Sequence, residues 1–264
     1  MMKNIILFIF LSSQSICFGQ NQKLKTSTLS SEKMENKIYI GFDGLGNNYY
    51  IKDNVFIKQN DIQKWEYKNV PLGKITSVDY VNPLKIVVFY EDFNIIVTLD
   101  NQLNEIQKLN LFDIDNTIFA SKIGMASLNQ FWIYNALTQQ ILLFNYLNNT
   151  FKNIGNPIQE SIKFTQSDFN NFYWIDENNN WFSIDIFGKV NLLANIPPWE
   201  NMQIIDNDKL LFSTENILYC LNNKSKVIYE IEIVEKSFEN FYYKDQILAI
   251  FTNQQITNYK IKLP

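Results

Sequence analysis

The stretch Asn170–Val190, NNFYWIDENNNWFSIDIFGKV, decides the fold. Phe172 to Asp176 is aromatic and β-branched, Glu177 to Asn180 is a polar turn, Trp181 to Asp185 alternates again, and Ile186 to Lys189 turns on Gly188. This is a pair of short strands with a turn after each, and versions of it recur on both sides. Toward the N-terminus QFWIYN (Gln130 to Asn135) precedes QILLFN, which ends at Asn145, and LKIVVFY (Leu84 to Tyr90) precedes IIVTLD, which ends at Asp100. A first unit, KIYIGFDGLGNNYYIKDNVFIKQN, begins at Lys37; its Asn47-Asn48-Tyr49-Tyr50-Ile51 matches Asn170-Asn171-Phe172-Tyr173-Trp174. Toward the C-terminus KLLFST (Lys209 to Thr214) precedes ILYCLN, which ends at Asn222, and QILAIFT (Gln246 to Thr252) precedes QITNYKIKLP.

An Asp or Asn therefore closes a third strand at positions 100, 145, 185 and 222, in steps of 45, 40 and 37 residues, the period of a four-stranded propeller blade. A strand precedes each pair (Ile75 to Tyr80, Thr117 to Lys122, Ile162 to Gln166, Met202 to Asp206, Phe238 to Tyr242) and another follows (Glu105 to Leu111, Lys189 to Leu193, Lys226 to Ile233). The expected fold is all-β: a six-bladed β-propeller of four-stranded antiparallel blades spanning residues 20–264 as one domain. The sixth unit stops after three strands, so Lys23 to Leu29 is expected to pair with Gln255 to Lys262 and complete it, protecting a sheet edge; a free tail is the alternative.

Composition supports this class. A chain of 264 residues with 46% hydrophobic content can bury a full core, and 21 Phe with 14 Tyr favour strands. Asn, present 36 times, accepts the turn conformations that many short strands require. All 23 basic residues are Lys and there is no His, which removes the Ser-His-Asp triad, the imidazole base and the usual zinc site, together with the guanidinium fork for phosphates. A net charge of -4 opposes nucleic-acid binding.

Residues 1–19 read as a cleavable export signal: Lys3, then the apolar Ile5 to Leu11, then Cys17-Phe18-Gly19 before Gln20. Lipid attachment at Cys17 is the alternative, with Ile16 bulky where a small residue is wanted. No segment approaches the roughly 20 apolar residues that span a bilayer. After cleavage Cys220 is the only cysteine, expected as a buried packing residue. The mature chain is expected in the periplasm or at the outer membrane, and monomeric when isolated.

FDGLGNNYYIKDNVFIKQN (Phe42 to Asn60) resembles the D-x-x-G-N-x-Y-x-x-D repeat of six-bladed propellers of the NHL and gluconolactonase-like type. ITSVDYVNPLKIVVFYEDFNIIVTLDNQL (Ile75 to Leu103) resembles a group of exported propellers of Bacteroidota whose role is unassigned. The likeness covers about residues 37–264. Gluconolactonase-like enzymes hold a divalent metal with Glu, Asn and Asp around the channel; no residue of this chain maps onto that set, so no catalytic residue follows.

In such a ring the loops joining strands two and three and those joining blades share one face. They carry ten acids, Asp53, Glu91, Asp92, Asp113, Asp115, Glu160, Glu177, Glu200, Glu215 and Glu235, against Lys52, Lys68, Lys74 and Lys236. Such a face attracts a basic partner or Ca2+; an ordinary solvated rim is the alternative. Trp199, in NIPPWEN, is either an interface anchor or sugar-stacking indole, or local core, while Trp132, Trp174 and Trp181 are expected inside. The binding residues so singled out are Trp199, Glu177, Glu200, Glu91 and Asp92. Two function classes remain open: a non-catalytic interaction scaffold of a bacterial envelope, or a metal-dependent lactonase-type hydrolase, with carbohydrate binding as a further option.

Overall fold

The computed structural model describes residues 22–33 and 38–264; the expected export signal lies outside them. Six antiparallel blades stand around a channel, each with its first strand innermost. Blade one is Ile38–Phe42, Asn48–Lys52, Val55–Gln59 and Lys64–Tyr67; blade two is Ser77–Asp79, Ile86–Tyr90, Ile95–Leu99 and Glu105–Asn110. Blade three is Ala120–Ala126, Gln130–Asn135, Gln140–Asn145 and Thr150–Ile154; blade four is Ile162–Ser167, Asn171–Asp176, Asn180–Asp185 and Val190–Asn195. Blade five is Asn201–Ile204, Lys209–Thr214, Ile217–Asn222 and Val227–Ile231, and blade six supplies Asn240–Lys244, Ile247–Phe251 and Gln255–Lys260. The six-bladed, four-stranded expectation holds. The inner strand of blade three lies later than Thr117 to Lys122, because Thr117 and Phe119 belong to the loop that bonds to Asn135.

Second and third strands are apolar on both faces because each blade is stacked between two others. Five apolar clusters fill the seams between successive blades from one to six. Trp132 and Trp181 are fully enclosed and Trp174 nearly so, as expected of packing residues. Cys220 is enclosed between blades five and six, where burial pushes its thiol up to about 12. The seam between blades six and one is aromatic: Tyr39 lies 4.5 Å from Phe251, and Phe42 meets Tyr242 edge-on at 5.1 Å, centroid to centroid.

Closure of the last blade differs from expectation. The segment that pairs with Gln255–Lys260 is Ser27–Lys33, four residues later at its start than Lys23, with Ser27 opposite Lys260 and Lys33 opposite Gln255. Gln22–Leu24 instead runs parallel to Val227–Ile231 and adds a fifth strand to blade five. Local chemistry explains the division. Leu24 packs into the core between blades five and six, Lys23 reaches Glu230 at 2.8 Å, and the Thr26 hydroxyl donates to the Glu232 carbonyl at 2.6 Å. Ser27–Lys33 is exposed throughout and polar except at Leu29, which suits an outermost strand.

The Asp and Asn residues of the repeat serve its turns. Asp43 accepts from the amides of Leu45 (2.8 Å) and Asn47 (2.9 Å), the Asn47 side-chain amide (2.8 Å) and the Tyr49 hydroxyl (2.7 Å). The same D-x-x-x-N clasp recurs at Asp100/Asn104 and Asp176/Asn180. Burial works to lift the Asp43 carboxyl, yet its hydrogen bonds together hold it below the usual carboxylate range. A depressed carboxyl contributes stability above the ordinary range and loses it as pH falls through the depressed value. Asp43→Asn is expected to cost about 2 kcal/mol near neutrality, by removing a charged acceptor from this buried turn, and less in acid. Urea melts at several pH values check this; a constant deficit from neutral to acid pH rules it out.

Candidate binding face and central channel

Strand direction alternates within each blade, so the turns between second and third strands and the connections between blades lie on one side of the ring. The other turns lie on the opposite side. All five binding residues expected from sequence sit on the first side, but in two groups. Glu91 and Asp92 occupy the single 3-10 turn Glu91–Phe93 of blade two. Glu177 occupies the corresponding turn of blade four, and Trp199 and Glu200 the connection from blade four to five.

In the second group Lys163 donates to the Glu177 carbonyl at 2.7 Å and lies 3.6 Å from its carboxylate, an exposed pair of small energetic weight. Glu200 accepts from the Glu215 amide at 3.2 Å. Trp199 is half-buried: it stands edge-on to Phe164, 5.8 Å between centroids, and packs on the core between blades four and five. Its indole shows only a part to solvent.

The first group has apolar neighbours that sequence reasoning missed. Asn94 is buried in the left-handed conformation (φ 53°), and its side chain accepts from the Ala120 amide at 3.0 Å and donates to the Ile118 carbonyl at 2.6 Å. Asn94 thereby locks the blade-two turn to the connection that leads into blade three. Asn135, equally buried, accepts from the Phe119 amide and donates to the Thr117 carbonyl, both at 3.1 Å. Phe93, Phe112 and Phe119 are thus held on joined loops, 48%, 36% and 45% exposed, with Phe112 edge-on to Phe119 at 4.9 Å. The same two loops carry Glu91, Asp92, Asp113 and Asp115 and no lysine in 91–94 or 111–119, while Lys74 follows the Gly73 beside which the Phe93 ring lies. The Thr117 hydroxyl and amide hold the Asp115 carboxyl below its usual range.

The channel has its own order. Gly41, Asp79, Gly124, Gln166, Gln203 and Tyr242 occupy the equivalent seat on the six inner strands, each opposite a residue of its second strand: Tyr49, Val87, Trp132, Tyr173, Leu211 and Ala249. Side chains of this layer stitch blade to blade. Gln166 accepts from the Ile204 amide (2.9 Å) and donates to its carbonyl (2.5 Å). Gln203 does the same to Tyr243, at 2.7 and 2.8 Å. Asp79 accepts from the Met125 amide at 2.7 Å. The two glycines make room: a Cβ at Gly124 would land on the Ser167 hydroxyl, and one at Gly41 on the Tyr80 hydroxyl. A cavity of about 580 Å³ opens along this layer, walled by residues of all six inner strands.

The layer left one faint signal in the sequence, a fixed offset of seven or eight residues before the core residue of each second strand. Its unlike residue types hid it. Among the described residues no three Asp, Glu or Cys side chains come together to hold a metal ion, and no helix is long and apolar enough to cross a membrane.

No family model matches the chain, and no curated protein matches it by sequence. Solved structures do match in shape. Virginiamycin B lyase from Staphylococcus aureus is 11% identical with a TM-score of 0.59, over 92% of this chain and 96% of that one. BamB from Moraxella catarrhalis is 8% identical with a TM-score of 0.51, over 89% and 99%. YCF48 bound to D1 peptide is 10% identical with a TM-score of 0.53, over 84% and 77%. What this chain shares with the three, at such identities, is the β-propeller fold.

Proposed function

We propose that the protein is a non-catalytic, exported scaffold that binds another protein of a bacterial envelope through its acidic loop face. The carrying observation is the exposed, edge-on pair Phe112 and Phe119, with Phe93 exposed on the blade-two turn that Asn94 joins to their loop, and carboxylates flanking all three in sequence. Exposed aromatic side chains on loops fixed by buried hydrogen bonds bind without the entropy of ordering, and an acidic rim selects a basic partner surface. Glu91 and Asp92 belong to that rim; Glu177, Trp199 and Glu200 extend the face over blades four and five. The peptide-bound YCF48 structure supports the capacity of this fold to hold a chain. The partner in this proposal is a basic segment with apolar anchors, the protein is monomeric alone, and nucleic acid plays no part.

Cross-linking in native cells, comparing wild type with Phe93→Ser, Asp92→Lys and Asp113→Lys combined, tests this. The variant is expected to melt as the wild type does and to lose its cross-linked partner by about tenfold or more. An unchanged partner yield removes this face from consideration. The companion set Trp199→Ala, Glu177→Lys and Glu200→Lys reports whether the contact reaches blades four and five.

A further inference from the structure

Within the channel layer the fold makes the same blade-to-blade stitch three times, and uses a neutral amide twice. Gln166 and Gln203 each satisfy both the N–H and the C=O of the neighbouring strand. In the equivalent seat Asp79 only accepts, from Met125, while its second oxygen accepts from the Val81 amide at 2.9 Å. The negative charge of Asp79 is therefore not something the stitch requires. It is also uncompensated: none of the ion pairs among the described residues includes Asp79. Burial lifts its carboxyl above the usual range, as it does for any carboxylate held away from water and counter-charge.

Asp79 lines the 580 Å³ cavity, a volume within the range of about 300–1,000 Å³ for small-molecule sites. Tyr80 and Tyr242 stand beside it, and Ile40, Val78, Ile123 and Met202 give the wall an apolar share. Asp168 and Asp245 add two carboxylates against the single ammonium of Lys244. Asp168 is already committed, accepting from the Asn170 and Asn171 amides at 2.7 Å and from the Tyr173 hydroxyl at 2.9 Å.

We propose that the central channel binds a small aliphatic amine, its ammonium paired with Asp79 and its carbon stem laid along Tyr242 and the apolar wall. An ammonium needs one carboxylate and gains from aromatic faces, whereas Ca2+ or Mg2+ needs six or more oxygen ligands, and among the described residues not even three carboxylates converge. The site is separate from the loop face and stands whether or not that face binds protein.

The test is isothermal titration of the full chain with putrescine, with butanediol as the uncharged analogue, and with calcium chloride. Saturable binding of putrescine is expected, with none of butanediol or calcium, and binding at least about tenfold weaker in Asp79→Asn. That substitution keeps an oxygen for the Met125 amide and is expected to leave the fold intact, since amides serve in the equivalent seats of blades four and five. Should Asp79→Asn melt without cooperativity, Tyr242→Leu takes its place and is expected to weaken putrescine several-fold while leaving the carboxylate. The proposal is overturned by an absence of saturable putrescine binding, by equal affinity in whichever variant folds, by butanediol binding as tightly, or by calcium bound in preference.

Discussion

A chain shortened to begin after Lys33 is expected to melt far below the full chain and to self-associate. Truncation removes the six register pairs between Ser27–Lys33 and Gln255–Lys260 and the three parallel pairs of Gln22–Leu24 with blade five. Because Ser27–Lys33 is exposed along its whole length, its contribution lies in ladder hydrogen bonds, not in buried apolar surface. At about 0.5–1 kcal/mol for each bond the loss is roughly 3–6 kcal/mol, or on the order of 10 °C for a chain of this size. The Lys23–Glu230 pair, with its lysine half exposed, adds little. Association follows from the bare edge of Gln255–Lys260, which then offers unpaired amides and carbonyls to a second molecule. Calorimetry with light scattering reads both effects. An unchanged melting point with a clean monomer means that the strand is ornamental.

The second large effect is expected at Gly41. Its φ of +153° is one that L-residues rarely adopt, and a Cβ there would strike the Tyr80 hydroxyl and come within 3.0 Å of the Tyr242 ring. Gly41→Ala therefore adds overpacking of the aromatic seam to backbone strain, about 3 kcal/mol or more. Gly46 supplies the control. Its φ is +81°, but a Cβ there meets nothing within 4 Å, so Gly46→Ala carries strain alone, about 1 kcal/mol. Tyr80→Phe, which removes the hydroxyl that a Cβ would strike, is expected to restore part of the stability of Gly41→Ala. Denaturant melts of the three variants decide the matter; equal losses at Gly41 and Gly46 refute the steric account.

The second and third strands were legible in the sequence because they are packed on both faces. LKIVVFY, QFWIYN and KLLFST leave almost no polar residue to confuse the pattern, and the Asp or Asn that closes each third strand marks a turn whose hydrogen bonds need that side chain. Outer strands were less legible. Thr150–Ile154, TFKNI, is largely exposed, and nothing in its composition separates it from a loop. The short inner strand Ser77–Asp79 faces the channel, where alternation of apolar and polar residues has no meaning. The candidate sites were harder still. Glu91 and Asp92 could be placed on the right face by counting turns, but their neighbours Phe112 and Phe119 come from another connection and are joined to them only through Asn94. The channel layer draws one residue from each blade, so its chemistry exists only once the ring has closed. Local pattern reports what a segment packs against, and it is silent about which distant segments arrive beside it.

The bond between Ser30 and Asn258 spans 228 positions of the chain. Contacts of such separation form late, because a long loop must close before any of them contributes. Ser27–Lys33 therefore waits for Gln255–Lys260, while the four-stranded sets of the other five blades can assemble from neighbouring segments alone. During that interval the outer edge of Gln255–Lys260 is open, and Ser27–Lys33, polar except at Leu29, is free and offers little apolar surface for pairing elsewhere. Seating it is the step that ends assembly, and the rate at which a newly made chain passes from an adhesive intermediate to a closed ring is set by how soon Ser27–Lys33 finds Gln255–Lys260.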